Sequence, residues 1–273
     1  MSTFSRSWNL VKASWNVLQD DKELVVFPIA SAIALLLVTL AFAVPGFFLY
    51  AAGGNEVLGY VLLFLFYIVQ YTVITFANAA LVGAATMRLR GQDPTLSDGV
   101  QIAFNHFGAI LGYALIAATV GMILQALSKR GVVADIVRSI IGTAWNLVTF
   151  LVVPVLVVEN VGPLEAVKRS AQYLRRTWGE QVVGGAGMGL VFFLLFVLVT
   201  AFIVAGVALG VALNVAALIA AFVVMGVLAY IALALLSSTL GGIYSAAVYR
   251  YAAEGETSGK FAPELIQNAF RAK

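Results

Sequence analysis

The chain has 273 residues, of which 62% are hydrophobic and only 11% charged, with a net charge of +3 and a mean hydropathy of +0.99. A soluble domain carries about 25% charged residues, so these few charges cannot cover a water-facing surface and a lipid-facing one is expected. The absence of cysteine and the single histidine exclude disulfides, thiol catalysis and Fe–S clusters and remove most zinc chemistry, so no metal and no cofactor is expected.

Residues 1–23 are polar and charged and show no cleavable leader pattern. Within them Phe4, Trp8, Val11, Trp15 and Leu18 recur at steps of four and three, which predicts an amphipathic helix with one apolar stripe. Leu24 to Asn55 is uncharged and predicts a first membrane span. Val57 to Met87 predicts a second, after a turn at Gly53-Gly54-Asn55-Glu56. Thr95-x-x-Asp98 has capping-box spacing and opens a second amphipathic stripe of Leu96, Val100, Ala103, Phe107 and Ile110. Phe107 to Ser128 and Ile140 to Val158 predict the third and fourth spans. Pro45 and Pro154 are expected to kink or end their helices.

Pro163 and Glu165 suit the start of a third amphipathic helix carrying Leu164, Val167, Ala171, Leu174 and Trp178. Gln181 to Tyr249 contains no charged residue and is long enough for two spans, with the turn expected between Gly206 and Asn214. Gly108-x-x-x-Gly112, Gly185-x-x-x-Gly189 and Gly206-x-x-x-Gly210 also read as positions of close helix approach. Pro263, Glu264, Leu265, Ile266 and Phe270 predict a short closing helix. None of the apolar runs alternates, which excludes a β-barrel. The expected fold class is therefore all-α: a polytopic membrane helical bundle of about six transmembrane helices with cytoplasmic amphipathic interfacial helices.

Six spans bring both termini to one side. That side would hold 13 of the 16 lysines and arginines; only Lys129, Arg130 and Arg138 fall on the other. The positive-inside rule then makes both termini cytoplasmic, in the cell membrane of a prokaryote. One membrane domain is expected over residues 1–273, read as three repeats at 1–90, 91–160 and 161–250, each an interfacial helix plus a transmembrane hairpin, followed by a C-terminal helix in 251–273. The competing reading is that any connector on that side tends to be amphipathic.

No Asp, Glu, Lys or Arg lies near the centre of a predicted span. This weighs against ion-coupled transport, redox pumping and voltage sensing, which place ionisable groups there. Gln70, Tyr71, Thr72, Thr75 and Asn78 lie along the second span, as do Trp145 and Asn146 along the fourth and Ser237, Ser238 and Thr239 along the sixth. They read either as the lining of a polar path or as interhelical hydrogen-bonding groups, the commoner role. Lys168, Arg169, Arg175, Arg176 and Trp178 read as lipid-headgroup contacts of an interfacial helix. His106 lacks partners with ligand spacing and reads as a surface residue. Gly184 to Gly189 mimics a nucleotide loop but follows no strand. No nucleophile, paired carboxylate or phosphate loop stands out, so no catalytic residue and no enzyme is expected.

Ser7 to Trp15 and then Asp21-Lys22-Glu23-Leu24-Val25-Val26-Phe27-Pro28 resemble the opening of an uncharacterised prokaryotic family of multi-span membrane proteins. Val158-Glu159-Asn160 followed by Ala166-Val167-Lys168-Arg169-Ser170 is similar to it as well. The resemblance implies a membrane fold and carries no site residues, because that family has no assigned function. Three function classes remain as expectations. The first is a non-enzymatic protein of lipid organisation or a membrane-complex subunit, with lipids and a second copy or a membrane protein as partners and no nucleic acid. The alternative is a passive transporter or channel for a small or lipidic solute. An intramembrane enzyme is the least supported.

Overall fold

The computed structural model describes residues 3–51, 53, 55–127, 132–178 and 188–268. Helix α1 spans Thr3–Asp20, and a 3-10 turn at Lys22–Val25 leads into α2, Val26–Ala51. Then follow α3 (Glu56–Leu89), α4 (Leu96–Asn105), α5 (Phe107–Leu127), α6 (Val132–Thr149), α7 (Val152–Glu159) and α8 (Pro163–Trp178). The chain closes with α9 (Gly189–Ala212), α10 (Ala216–Tyr249), a π-turn at Arg250–Glu254 and α11 (Pro263–Gln267). There is no strand among the described residues. Six helical segments are long and apolar enough to cross a membrane: Lys22–Ala51, Glu56–Leu89, Phe107–Leu127, Asp135–Glu159, Gly189–Ala212 and Ala216–Glu254.

The packed core sits at one end. In α3 the buried residues run from Thr75 to Leu89 and in α10 most run from Thr239 to Tyr249, which are the final turns of each. Buried Ile110, Tyr113, Ala114, Ala117 and Ala118 belong to the first half of α5. We call this the terminal end, because α1 and α11 also pack there. Toward the opposite, hairpin end the apolar side chains of α2, α3, α9 and α10 are mostly exposed. Helix α3 is the hub and packs against α2, α4, α5, α7 and α10.

Several expectations are corrected. The turn after α9 is Leu213–Val215, with Asn214 at φ 55°. Of the three breakers only Asn214 makes it. Gly206 and Gly210 are buried inside α9. A Cβ on Gly206 would come within 2.0 Å of the Phe222 ring, so this glycine serves close helix approach and does not break the helix. Of the two outcomes expected at Pro45, an end is ruled out, since α2 continues to Ala51. Pro154 stands in the first turn of α7, where its missing N–H is not needed, and the fourth span is instead interrupted just before it, at Phe150–Leu151. That span also begins earlier than Ile140, taking in Asp135 and Arg138.

The interruption is capped from another helix. The Leu151 N–H donates to Ser170 Oγ of α8 at 3.0 Å, and both residues are fully buried. A broken helix in apolar surroundings is tolerated only where protein groups satisfy the freed backbone. At the end of the span Asn160 adopts φ 50°, a left-handed cap that stops α7 and lets α8 start at Pro163. The capping box at Thr95 and Asp98 is present, with the Thr95 N–H donating to Asp98 Oδ2 at 2.8 Å.

Helix α1 presents two apolar faces. The buried one is Ser7, Leu10, Ala13, Ser14, Val17 and Leu18. Phe4, Trp8 and Trp15 of the expected stripe lie half-exposed on the other, with Phe4 stacked on Trp8 and the Lys12 ammonium over the Trp8 ring. Asn78 is half-buried, and Phe270, Gly179, Lys129, Arg130 and Gly184 to Gly187 lie outside the described residues.

Two outcomes follow from these contacts. Ser170→Ala leaves the Leu151 N–H without its partner and costs about 1–3 kcal/mol, read as a lowered midpoint in thermal or denaturant unfolding of the purified protein. Asp21 is buried with Oδ2 lacking a partner among the described residues, and burial raises its pKa above the ordinary value. Its raised folded value means that stability present at low pH is lost as pH rises through that value. Asp21→Asn therefore raises the unfolding temperature at neutral pH and changes it little near pH 4, about where an unfolded aspartate titrates.

Candidate functional site: the charged girdle at the terminal end

The apolar helices end in a set of charges that fold back on one another. Glu159, the last residue of α7, is the first focus. Its Oε1 accepts from the Tyr173 hydroxyl of α8 at 2.9 Å and from the Tyr249 hydroxyl of α10 at 3.0 Å. Its Oε2 pairs with Arg169, which also donates from Nε to Glu165 at 2.9 Å. The tight turn at Asn160 sets this geometry, because it lays α8 back along α7 within three residues. One carboxylate thereby joins three helices. The Glu165 carboxyl is held below its usual pKa, mainly by its bond to Arg169. Burial first, and then the Glu159 carboxylate, raises that of the Tyr173 hydroxyl.

Arg250 is the second focus. Its side chain is 6% exposed. Nη1 donates to the Leu89 carbonyl at the end of α3 at 2.6 Å, Nη2 pairs with Glu256 at 2.7 Å, and Nε reaches Glu254 at 3.3 Å. Glu254 also pairs with Arg90. Here one guanidinium satisfies a helix-terminal carbonyl and draws the segment after α10 against α3. Arg88 adds Asp93 at 2.6 Å and the Asp20 carbonyl at 2.8 Å, and Lys260 pairs with Asp20 at 2.8 Å. These contacts are structural clamps.

The residues expected to meet headgroups are placed differently from one another. Arg169 is taken up by Glu159 and Glu165. Lys168 is exposed beside Glu165, 3.9 Å away. Trp178 is buried, donates from Nε1 to the Ile266 carbonyl at 3.2 Å and packs on Tyr251. Arg175 and Arg176 are exposed, make no ion pair among the described residues, and with Gln172 and Tyr173 line an open groove of about 500 Å³.

The polar set of the second span does not gather at one place. Gln70 Nε2 donates to Thr39 Oγ1 of α2 at 3.0 Å, a bond between helices. Thr75 is buried. Tyr71 turns the other way, toward Gly121 of α5, and only it lines the groove between α3, α5 and α6, beside Tyr67, Gln125, Asp135 and Arg138. His106 caps α4 with Nδ1 2.7 Å from the Ile102 carbonyl.

The sequence reading missed Glu159, Tyr173, Tyr249 and Arg250 as a site, because the contacts that join them from helix to helix span 10 to 161 residues. The one signal that pointed there was the pair of segments Val158-Glu159-Asn160 and Ala166 to Ser170. They contribute Glu159, the Asn160 turn, Arg169 and the Ser170 cap. No group of three or more His, Cys, Asp or Glu side chains among the described residues could hold a metal ion.

A family model matches residues 57–259, from the start of α3 past the π-turn, and its description is a family of unknown function, DUF6159. The chain belongs to that family. The DUF6159 match takes in the Glu159 and Arg250 clusters and the Val158–Ser170 segments, while the resembling residues Ser7 to Pro28 precede it. No curated protein matches the chain.

Tyr249→Phe removes one of the two hydroxyls on Glu159 Oε1 at a buried position. It is expected to cost about 1–2 kcal/mol in equilibrium unfolding, whereas Phe replacing the exposed Tyr50 changes stability within about 0.5 kcal/mol.

Proposed function

We propose that this protein is a non-enzymatic integral membrane protein that organises anionic lipid at the terminal end of its bundle, which faces the cytoplasm of a prokaryotic cell. The observation that carries the reading is the state of its basic residues. Arg88, Arg90, Arg169, Arg250 and Lys260 are engaged with carboxylates of the chain. Arg175 and Arg176 are held on the same girdle without such partners among the described residues. A guanidinium pair fixed on a rigid amphipathic helix at an interface suits phosphate groups, which it can grip in bidentate fashion. The half-exposed Phe4, Trp8 and Trp15 support the same placement, since aromatic rings favour the headgroup level.

The order of interfacial helix and hairpin supports a plan of three units. We read each interfacial helix as lying on the membrane while its hairpin crosses it. The excess of positive charge at the terminal end supports the cytoplasmic orientation. The conduction reading draws no support from the scattered placement of Gln70, Tyr71, Thr75 and Asn78.

The test is retention of an anionic phospholipid, phosphatidylglycerol, by the purified full chain in native mass spectrometry. Each basic side chain near such a surface contributes about 1 kcal/mol. Arg175→Ala with Arg176→Ala should therefore lower retention about thirtyfold while leaving the unfolding temperature unchanged. Unchanged retention in that double variant overturns the proposal.

A further inference from the structure

A second polar feature lies near the hairpin end, away from the girdle. Tyr67 and Tyr71 of α3, Gln125 of α5, and Asp135, Arg138 and Ser139 of α6 line a groove of about 740 Å³, together with Gly121, Leu124 and Gly142. The Tyr67 hydroxyl donates to Gln125 Oε1 at 3.0 Å across its floor. Asp135 and Arg138 are one helical turn apart on α6 and both are exposed. Neither makes an ion pair among the described residues, with the other or with any third group. Their neighbours Ile136, Val137, Ile140 and Ile141 are exposed as well. Arg138 thus stands nearly two turns into an apolar helix, inside a segment suited to crossing a membrane. Arg138 lies only one turn from the start of that segment, so its side chain reaches the headgroup level, where a counter-charge can meet it.

We propose that this groove binds the headgroup of a zwitterionic amine phospholipid, phosphatidylethanolamine, with the phosphate on Arg138 and the ammonium on Asp135. A ligand carrying both signs a few ångströms apart answers both side chains at once. An anionic lipid answers Arg138 and repels Asp135. The Tyr71 hydroxyl and Ser139 offer further hydrogen bonds at the same wall. Gly121 keeps the wall clear beside Tyr71, since a Cβ there would lie 3.2 Å from the Tyr71 oxygen. On the far side of Leu124 an apolar trough of about 420 Å³, lined by Ile123, Leu127, Ile141 and Trp145 among others, suits an acyl chain. A free solute would have no use for that trough.

This inference shares with the proposed function only that the chain contacts lipid, and it uses none of the girdle residues. It is tested on the full chain by native mass spectrometry with phosphatidylethanolamine, phosphatidylcholine and phosphatidylglycerol offered separately. Phosphatidylcholine keeps both charges but its methylated nitrogen cannot donate a hydrogen bond to Asp135. The expected result is preferential retention of phosphatidylethanolamine over phosphatidylcholine, with about a tenfold loss, that of one charge-assisted hydrogen bond, in Asp135→Asn and in Arg138→Gln. Phosphatidylglycerol retention should stay unchanged in both and fall in the Arg175 and Arg176 variant. Equal retention of the two zwitterionic lipids by the unaltered protein overturns the proposal without recourse to any variant. So does unchanged retention in both folded variants. Failure of the unaltered protein to retain phosphatidylglycerol would sink only the reading of the girdle.

Discussion

The closest approach between the two longest helices, α3 and α10, is the contact on which the rest of this structure depends. Leu81 of α3 lies so close to Gly242 of α10 that a Cβ there would sit 2.4 Å from its Cδ2. Both helices are 34 residues long, about 51 Å against a hydrocarbon thickness of about 30 Å. The surplus turns need partners other than lipid, and the packed end of the molecule supplies them. Helices α1, α4, α7 and α8 gather around those turns, and the Arg250 guanidinium ties the end of α10 to the last carbonyl of α3. Apolar packing brings the helices together, while the charged girdle closes off the carbonyls and carboxylates left at their ends.

That arrangement divides the chemistry of the chain by depth. Most ion pairs lie at the terminal end, where they bind helix to helix. Toward the hairpin end the helix pairs are held by fewer and different contacts. Thr200 meets Tyr230, Gln70 meets Thr39, and between α9 and α10 the Phe196 and Tyr230 rings stack while Phe202 and Phe222 meet at a tilt. The polar groove beside α6 is the exception at that end, and its Asp135 and Arg138, which make no ion pair among the described residues, stand out for that reason.

Much of the fold was legible in the sequence, because a charge-free run of span length has few other readings. The Gln181–Tyr249 stretch shows where this stopped. Gly206 and Gly210 read two ways, as breakers and as the close-approach pair Gly206-x-x-x-Gly210; only the second holds, and Asn214 turns the chain. Helix α1 shows a different limit. Periodicity finds its aromatic stripe but cannot say which of two apolar faces meets protein, and the smaller side chains Ser7, Leu10 and Ser14 take that place. The interruption at Phe150–Leu151 was invisible locally, since the group that permits it, Ser170, is 19 residues on. The Glu159 cluster was hidden for the same reason, its two tyrosines standing 14 and 90 residues away.

The Ser170 cap has a mechanical meaning. It ties α8 to the break between α6 and α7, so that the surface of one helix and the interior of the other are coupled. Lifting α8 off the bundle would strip the Leu151 amide of its acceptor at a fully buried position, and would also pull Arg169 from Glu159. A force on α8 is thereby delivered to α7, which acts as a keel for it and resists its rocking.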